Sequence, residues 1–181
     1  MAPRVITAPR QGTEADHACG PTTSGPNGHA PAASFLTSDW GLELGISTAD
    51  FAARAFTPDE DSLKTVRRFI HETITDWGLG QLADDLTTVV NELTTNAVQH
   101  ALATGRESRS RAWLGIARTG NTVMCAVTDP SPNPPTCHRP EPLAEKGRGL
   151  LIVNALTSQW GYAPAGPTGK TVWARITAPA C

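Results

Sequence analysis

The sequence predicts an α+β two-layer sandwich: a mixed, mostly antiparallel sheet with helices on one face. Three observations carry that prediction. Two long stretches place apolar residues three or four apart, the period of a helix packed on one side. Two stretches of strand-forming residues flank Thr119-Gly120-Asn121, a hairpin signal. A second strand pair closes the chain around a Gly/Pro turn, so the order reads βα-α-ββ-α-ββ.

The elements follow in turn. Asp50–Phe56 reads as the first strand. Thr57-Pro58-Asp59-Glu60 then starts a helix, with Thr57 as cap, Pro58 at the first helical position and Glu60 closing a capping box. Leu63, Val66, Phe69, Ile70, Ile74 and Trp77 form its apolar stripe, and Gly78 and Gly80 stop it. A second helix spans about 81–102, with Leu82, Leu86, Val89, Leu93 and Ala97 on one stripe. Beside that stripe runs a polar one: Asp85, Thr88, Glu92, Asn96 and His100. The hairpin takes 111–118 and 122–128. The stretch 129–146 holds six prolines, which excludes a helix or an inner strand and predicts a long loop. Gly147-Arg148-Gly149 opens a third helix over 150–157, and 160–163 pairs with 171–178.

Domain organisation follows from composition. Residues 1–34 hold nine Gly or Pro, and only Val5 and Ile6 represent the aliphatic core formers. Such a segment buries too little apolar surface to offset its chain entropy, so it reads as a disordered tail. Residues 35–48, with Phe35, Trp40, Leu42, Leu44 and Ile46, form a lead-in that packs either on the domain or on a partner. The folded domain is 49–181, and no internal repeat interrupts it.

Several function classes fall away. The 181 residues carry a net charge of -2, which gives no general attraction to nucleic acid or to an anionic membrane. The longest apolar run, Val123–Val127, is far short of the roughly 18 residues a spanning helix needs. Met1–Arg10 has no apolar core of the kind a secretory signal requires. Cys19, Cys125, Cys137 and Cys181 are scattered, with no paired spacing for zinc or redox work, and read as reduced thiols in a cytoplasm.

Four short motifs stand in order: Glu92-Leu-Thr-Thr-Asn96-Ala-Val-Gln-His100 on a helix, Asp129-Pro-Ser-Pro-Asn-Pro-Pro135 after a strand, Gly147-Arg148-Gly149-Leu150 before a helix, and Gly169-Lys-Thr171-Val-Trp-Ala174 entering the last strand. Each has an ordinary structural explanation alone: a solvated helix face, a turn, a loop-to-helix junction, a hairpin turn. Together, over about 50–178, they resemble the N box and the three glycine boxes of the GHKL (histidine kinase-like) ATPase superfamily, the fold shared by gyrase, MutL and histidine kinases. Within it, the Gly-Arg-Gly-Leu-Leu-Ile-Val run followed by Trp160-Gly161 is most similar to RsbW/SpoIIAB-type anti-sigma-factor serine/threonine kinases.

The resemblance implies the Bergerat ATP-binding fold, with ATP and Mg²⁺ as ligands. It implies an anti-sigma factor that phosphorylates a serine of a STAS-domain anti-anti-sigma partner, binds a sigma factor, and self-associates. Glu92 would be the general base, and Asn96 the Mg²⁺ ligand. Asp129 would read the adenine amino group, and Thr171 would supply an adenine-side hydroxyl. Gly147, Arg148, Gly149 and Leu150 would admit the phosphates. Residue chemistry agrees: a carboxylate and a carboxamide one turn apart face one ligand, and a helix N-terminus favours phosphate. Arg139, Arg148 and Lys146 offer charge for phosphate, while His100 has no catalytic role. The first glycine box departs from the family's Asp-x-Gly-x-Gly, since 130–134 contains no glycine.

Two other resemblances are rejected. Gly166-Pro-Thr-Gly-Lys-Thr171 imitates a P-loop, but Pro164 stands where its first glycine belongs and the residues after Thr171 read as strand. His71-Glu72 resembles a phosphoacceptor histidine but lies on a single helix inside the fold. Two rival functions remain: a non-catalytic nucleotide-binding module that sequesters a partner, and a detached histidine-kinase catalytic domain.

Overall fold

The computed structural model describes residues 4–7, 50–103, 111–136, 148–165 and 169–179. The strands are β1 (Arg4–Thr7), β2 (Asp50–Phe56), β3 (Ala112–Thr119), β4 (Thr122–Asp129), β5 (Gln159–Ala165) and β6 (Gly169–Thr177). The helices are α1 (Glu60–Asp76), α2 (Ala83–Ala97) and α3 (Gly149–Leu156). A 3₁₀ turn, Gly80–Leu82, leads into α2, and a π-helical turn, Val98–Leu102, continues it.

The strands form one sheet in the order β1-β5-β6-β4-β3-β2. Every pairing is antiparallel, so the parallel component of the expected mixed sheet is absent among the described residues. The period-two alternation of each strand sorts its side chains between two faces. Leu114, Ile116, Val123, Cys125, Val127, Val172, Ala174 and Ile176 face the helices. There they meet Val66, Ile70 and Ile74 of α1, Leu86, Val89 and Leu93 of α2, and Leu150 and Val153 of α3. These are the stripes the sequence periodicity predicts. Each such side chain withdrawn from water contributes about 1.5–3 kcal/mol before entropy is subtracted. Cys125 is a free thiol at the centre of this layer, and burial pushes its pKa up to about 12, which keeps it protonated and inert. The other three cysteines lie outside the described residues.

The opposite face carries a smaller cluster of Ala117, Met124, Ala126 and Trp173, with Phe51 against it. A shallow groove there is lined by Phe51, Ala53, Trp113, Gly115, Ala126, Thr128 and Thr171. It contains no charged group.

Two sequence expectations need correction. Arg4–Thr7 belongs to the stretch read as a disordered tail, yet it pairs with Gln159–Tyr162 as an edge strand. The edge of β5 offers unpaired backbone groups, and the stretch around Val5 and Ile6 is the one part of the tail with strand-forming residues. The remainder of 1–34 and the lead-in 35–48 lie outside the described residues. The cap of α1 is Asp59, not Thr57: Asp59 has extended backbone and its Oδ1 accepts from Ser62 N at 2.8 Å. Thr57 instead donates its hydroxyl to Asp59 Oδ2, and its own N–H donates to Ser62 Oγ at 3.0 Å. Asp satisfies the orphan N–H groups better than Thr because it also brings negative charge to the positive end of the helix.

Gly78 (φ 69°) ends α1 and Gly120 (φ 57°) turns the β3–β4 hairpin, both in the left-handed region that glycine enters without strain. Arg118 ties these two places together. Its Nη1 donates to Trp77 O at 2.6 Å, at the negative end of α1, and its Nε donates to Gly120 O at 2.9 Å.

The hydrogen bonds from Thr57 and Ser62 hold the Asp59 carboxyl below its ordinary pKa. A lowered folded-state pKa contributes stability above the unfolded value, and that contribution is lost as pH falls through the folded value. Asp59→Ala should therefore melt earlier than wild type at neutral pH, and by more than Thr57→Val does. The gap should close in strong acid. Thermal melts followed by circular dichroism check both statements.

Candidate functional site

The expected site residues lie on the C-terminal half of α2, at the N-terminus of α3 and at the ends of β4 and β6, and α2 packs against α3, β4 and β6. Glu92 and Asn96 stand one turn apart on α2, both half-buried. Among the described residues neither side chain makes a hydrogen bond or ion pair. Glu92 lies against Gly149, the first residue of α3, so closely that a methyl group added there would stand 2.5 Å from Glu92 Oε2. A side chain at this position would push the Glu92 carboxylate aside, a shift that the flexible end of a glutamate can make.

Helix α3 has no side-chain cap. Arg148 precedes it with an exposed side chain, and its carbonyl accepts from Leu151 N and Ile152 N at 3.0 and 3.1 Å. Leu150, by contrast, is buried in the core and anchors the first turn of α3. The start of α3 thus presents uncapped N–H groups and the positive end of a dipole beside Glu92. Gly147, Arg139 and Lys146 lie outside the described residues.

Asp129 ends β4 and is 4% exposed. Its cross-strand partner is Lys170, 6% exposed. Lys170 Nζ donates to Asp129 Oδ1 at 2.9 Å and reaches Ser131 O at 3.4 Å. Ser131 N donates to the same Oδ1 at 2.9 Å. Burial pushes the Asp129 carboxyl pKa up, while the Lys170 hydrogen bond, the Ser131 N–H and the charges of Lys170 and His100 pull it partly back. His100 itself is exposed in the π-helical turn, close enough for its charge to be felt at Asp129. Such turns insert one extra residue per turn, which moves His100 off the line of the Glu92–Asn96 stripe.

Thr171 is not brought to this site. Strand alternation turns it to the other face of the sheet, where its hydroxyl meets Thr128 Oγ1 at 2.8 Å. Lys170 holds the position beside Asp129 that the sequence reading gave to Thr171. Counting parity from the apolar set Val172, Ala174 and Ile176 places 170 on the helix side and 171 on the other, so the signal was in the sequence. Gly169 permits this entry into β6. A Cβ there would meet the backbone oxygens of Ala165 and Asp129 at 2.8 Å each, and neither can move without breaking the ladder.

The chemistry this arrangement offers is specific. Glu92 is a carboxylate available to take a proton. Asn96 is a neutral oxygen donor with no side-chain hydrogen bond among the described residues, of a kind that suits a hard cation that keeps waters and bridges to phosphate. No group of three or more His, Cys, Asp or Glu among the described residues could cage a metal alone. Mg²⁺ held by Asn96 together with phosphate oxygens would fit this chemistry, and the described residues offer no all-protein cage.

Residues 56–176 match the histidine kinase-like ATPase domain family. No curated protein matches the chain. Among solved structures it is similar to the RsbU and RsbW domains of Rv1364c from Mycobacterium tuberculosis, at 20% identity and a TM-score of 0.50. That likeness covers 75% of this chain and 35% of the other, and at this identity it is a likeness of fold.

Removing one member of the buried pair leaves an uncompensated charge, which costs about 3–5 kcal/mol. Asp129→Ala should lose stability of that order in urea denaturation. Asp129→Leu combined with Lys170→Met should recover most of it. Gly169→Ala should cost about 1–3 kcal/mol through overpacking against fixed backbone.

Proposed function

The chain belongs to the histidine kinase-like ATPase family, and on that premise we propose that it is an ATP-binding anti-sigma factor with protein-serine kinase activity on a STAS-domain anti-anti-sigma partner. The observation that carries the catalytic part is the contact between Glu92 and Gly149. It sets a half-buried carboxylate beside the uncapped start of a helix, where a phosphate chain is favoured and a nucleophile would need a base. In this reading a serine hydroxyl of the partner attacks the γ-phosphorus, its proton passes to Glu92, and ADP leaves with the bond to the transferred group broken. Asp129 accepts a hydrogen bond from the exocyclic amine of the base. Gly147, Arg148, Gly149 and Leu150 admit and orient the phosphates. Asn96 would hold Mg²⁺, which when bound supplies neutralisation of triphosphate charge. Catalysis of this kind is mostly positioning and electrostatics, so a small domain suffices.

The structural neighbour's RsbW domain supports this reading at the level of fold. The sigma factor, the STAS partner and self-association come from the same family resemblance. No helix among the described residues is long and apolar enough to cross a membrane.

A second reading is favoured by one observation: 130–134, Pro-Ser-Pro-Asn-Pro, contains no glycine where the family's first glycine box has two. A domain so altered would bind nucleotide and sequester its partner without transferring phosphate.

Incubation with γ-labelled ATP, Mg²⁺ and a STAS protein decides between them. The kinase reading expects acid-stable label on serine, with Glu92→Gln slowing transfer by about 10²–10⁴-fold. It also expects Asn96→Ala to weaken Mg-ATP binding about tenfold or more in calorimetry. Binding without transfer selects the second reading. Acid-labile label on histidine selects a detached histidine-kinase domain. A folded protein that binds no ATP defeats all three.

A further inference from the structure

The buried pair at the ends of β4 and β6 has hydrogen-bonding capacity left over. Asp129 Oδ1 accepts from both Ser131 N and Lys170 Nζ, while among the described residues Oδ2 accepts nothing. Lys170 carries three N–H donors and spends them on Asp129 Oδ1 and, at a longer 3.4 Å, on Ser131 O. One donor and one acceptor therefore stand side by side, both on side chains more than nine-tenths buried.

We propose that Lys170 is a nucleobase-specificity residue, donating to a purine ring nitrogen while the free oxygen of Asp129 accepts from the adjacent exocyclic amine. This rests on the ATP-binding reading above and extends it. The base edge that complements one acceptor and one donor is that of adenine, whose amino group lies next to the N1 acceptor. Guanine presents a carbonyl oxygen followed by two donors. With one carboxylate oxygen free, one of those donors is left without a partner in a site closed to water, and such orphans are strongly penalised. Lys170 has a second consequence for Asp129. Its ammonium fixes Oδ1, so Oδ2 is oriented before the base arrives, and no side-chain freedom is lost on binding.

The outer face does not compete for this role. Thr171 points there, and its hydroxyl is engaged by Thr128. No other lysine or arginine side chain among the described residues bonds to Asp129.

The test compares ATP, 1-deaza-ATP, which lacks the N1 acceptor, and GTP on the full chain by calorimetry. Wild type is expected to bind ATP roughly tenfold to a hundredfold more tightly than 1-deaza-ATP, the range for a charge-assisted hydrogen bond. GTP is expected to bind more weakly than ATP. Lys170→Met, verified as folded by circular dichroism, is expected to bind ATP and 1-deaza-ATP alike. Equal binding of ATP and 1-deaza-ATP by wild type overturns the proposal and leaves the ATP-binding reading standing. Undiminished discrimination by Lys170→Met, or GTP binding as tight as ATP, overturns it as well. Absence of ATP binding by folded wild type overturns both readings. If Lys170→Met does not fold, the three ligands on wild type decide alone.

Discussion

The register between β4 and β6 is the constraint on which the rest depends. Cys125 opposite Ala174 and Val127 opposite Val172 send their side chains into the helix layer. The same alternation, continued two residues further, delivers Asp129 and Lys170 to the helix side as a facing pair. A slip of one residue would carry the apolar set to the outer face and Lys170 with it. Packing of the core and placement of the charged pair are therefore decided together. The hydrophobic layer holds the register, and the register sets the charges at its edge.

How that edge tolerates charge is the second matter. Burial disfavours the ionised carboxylate, and Lys170 and the Ser131 N–H offset part of the penalty. A fully apolar substitute would stabilise the sheet end at least as well. At the α2–α3 side, Gly149 has no Cβ, and the Glu92 carboxylate lies in that space at the start of α3. The ion pair joins the ends of β4 and β6, and the missing Cβ brings α2 and the start of α3 close together.

Much of this was legible in the sequence. The stripes Val66-Ile70-Ile74 and Leu86-Val89-Leu93-Ala97 gave α1 and α2, because helical period and burial coincide there. Thr119-Gly120-Asn121 gave the hairpin, since its geometry needs a residue free to enter positive φ. Glu92, Asn96 and Asp129 were singled out through motif order, and the fold packs α2, which carries the first two, against β4, which ends in the third. What was missed has physical causes. Choosing Asp59 over Thr57 as cap needs the actual backbone path into α1. Lys170 lay hidden behind Thr171, because a motif matched by letters ignores which face each strand residue takes. Arg4–Thr7 was assigned to the tail because composition measures what a segment can bury by itself, not the backbone partners an existing sheet edge can offer it.

That edge strand has a consequence for how the sheet is completed. Thr7 pairs with Gln159 and Arg4 with Tyr162, so this ladder joins residues about 150 positions apart, whereas the β3–β4 hairpin closes across a short turn. Loop-closure entropy rises with that separation, and pairings of high contact order are slow to form. During synthesis Arg4–Thr7 emerges long before β5, the strand it pairs with among the described residues. The first four-residue strand of the chain is thus the one whose pairing waits for the last part of the sheet.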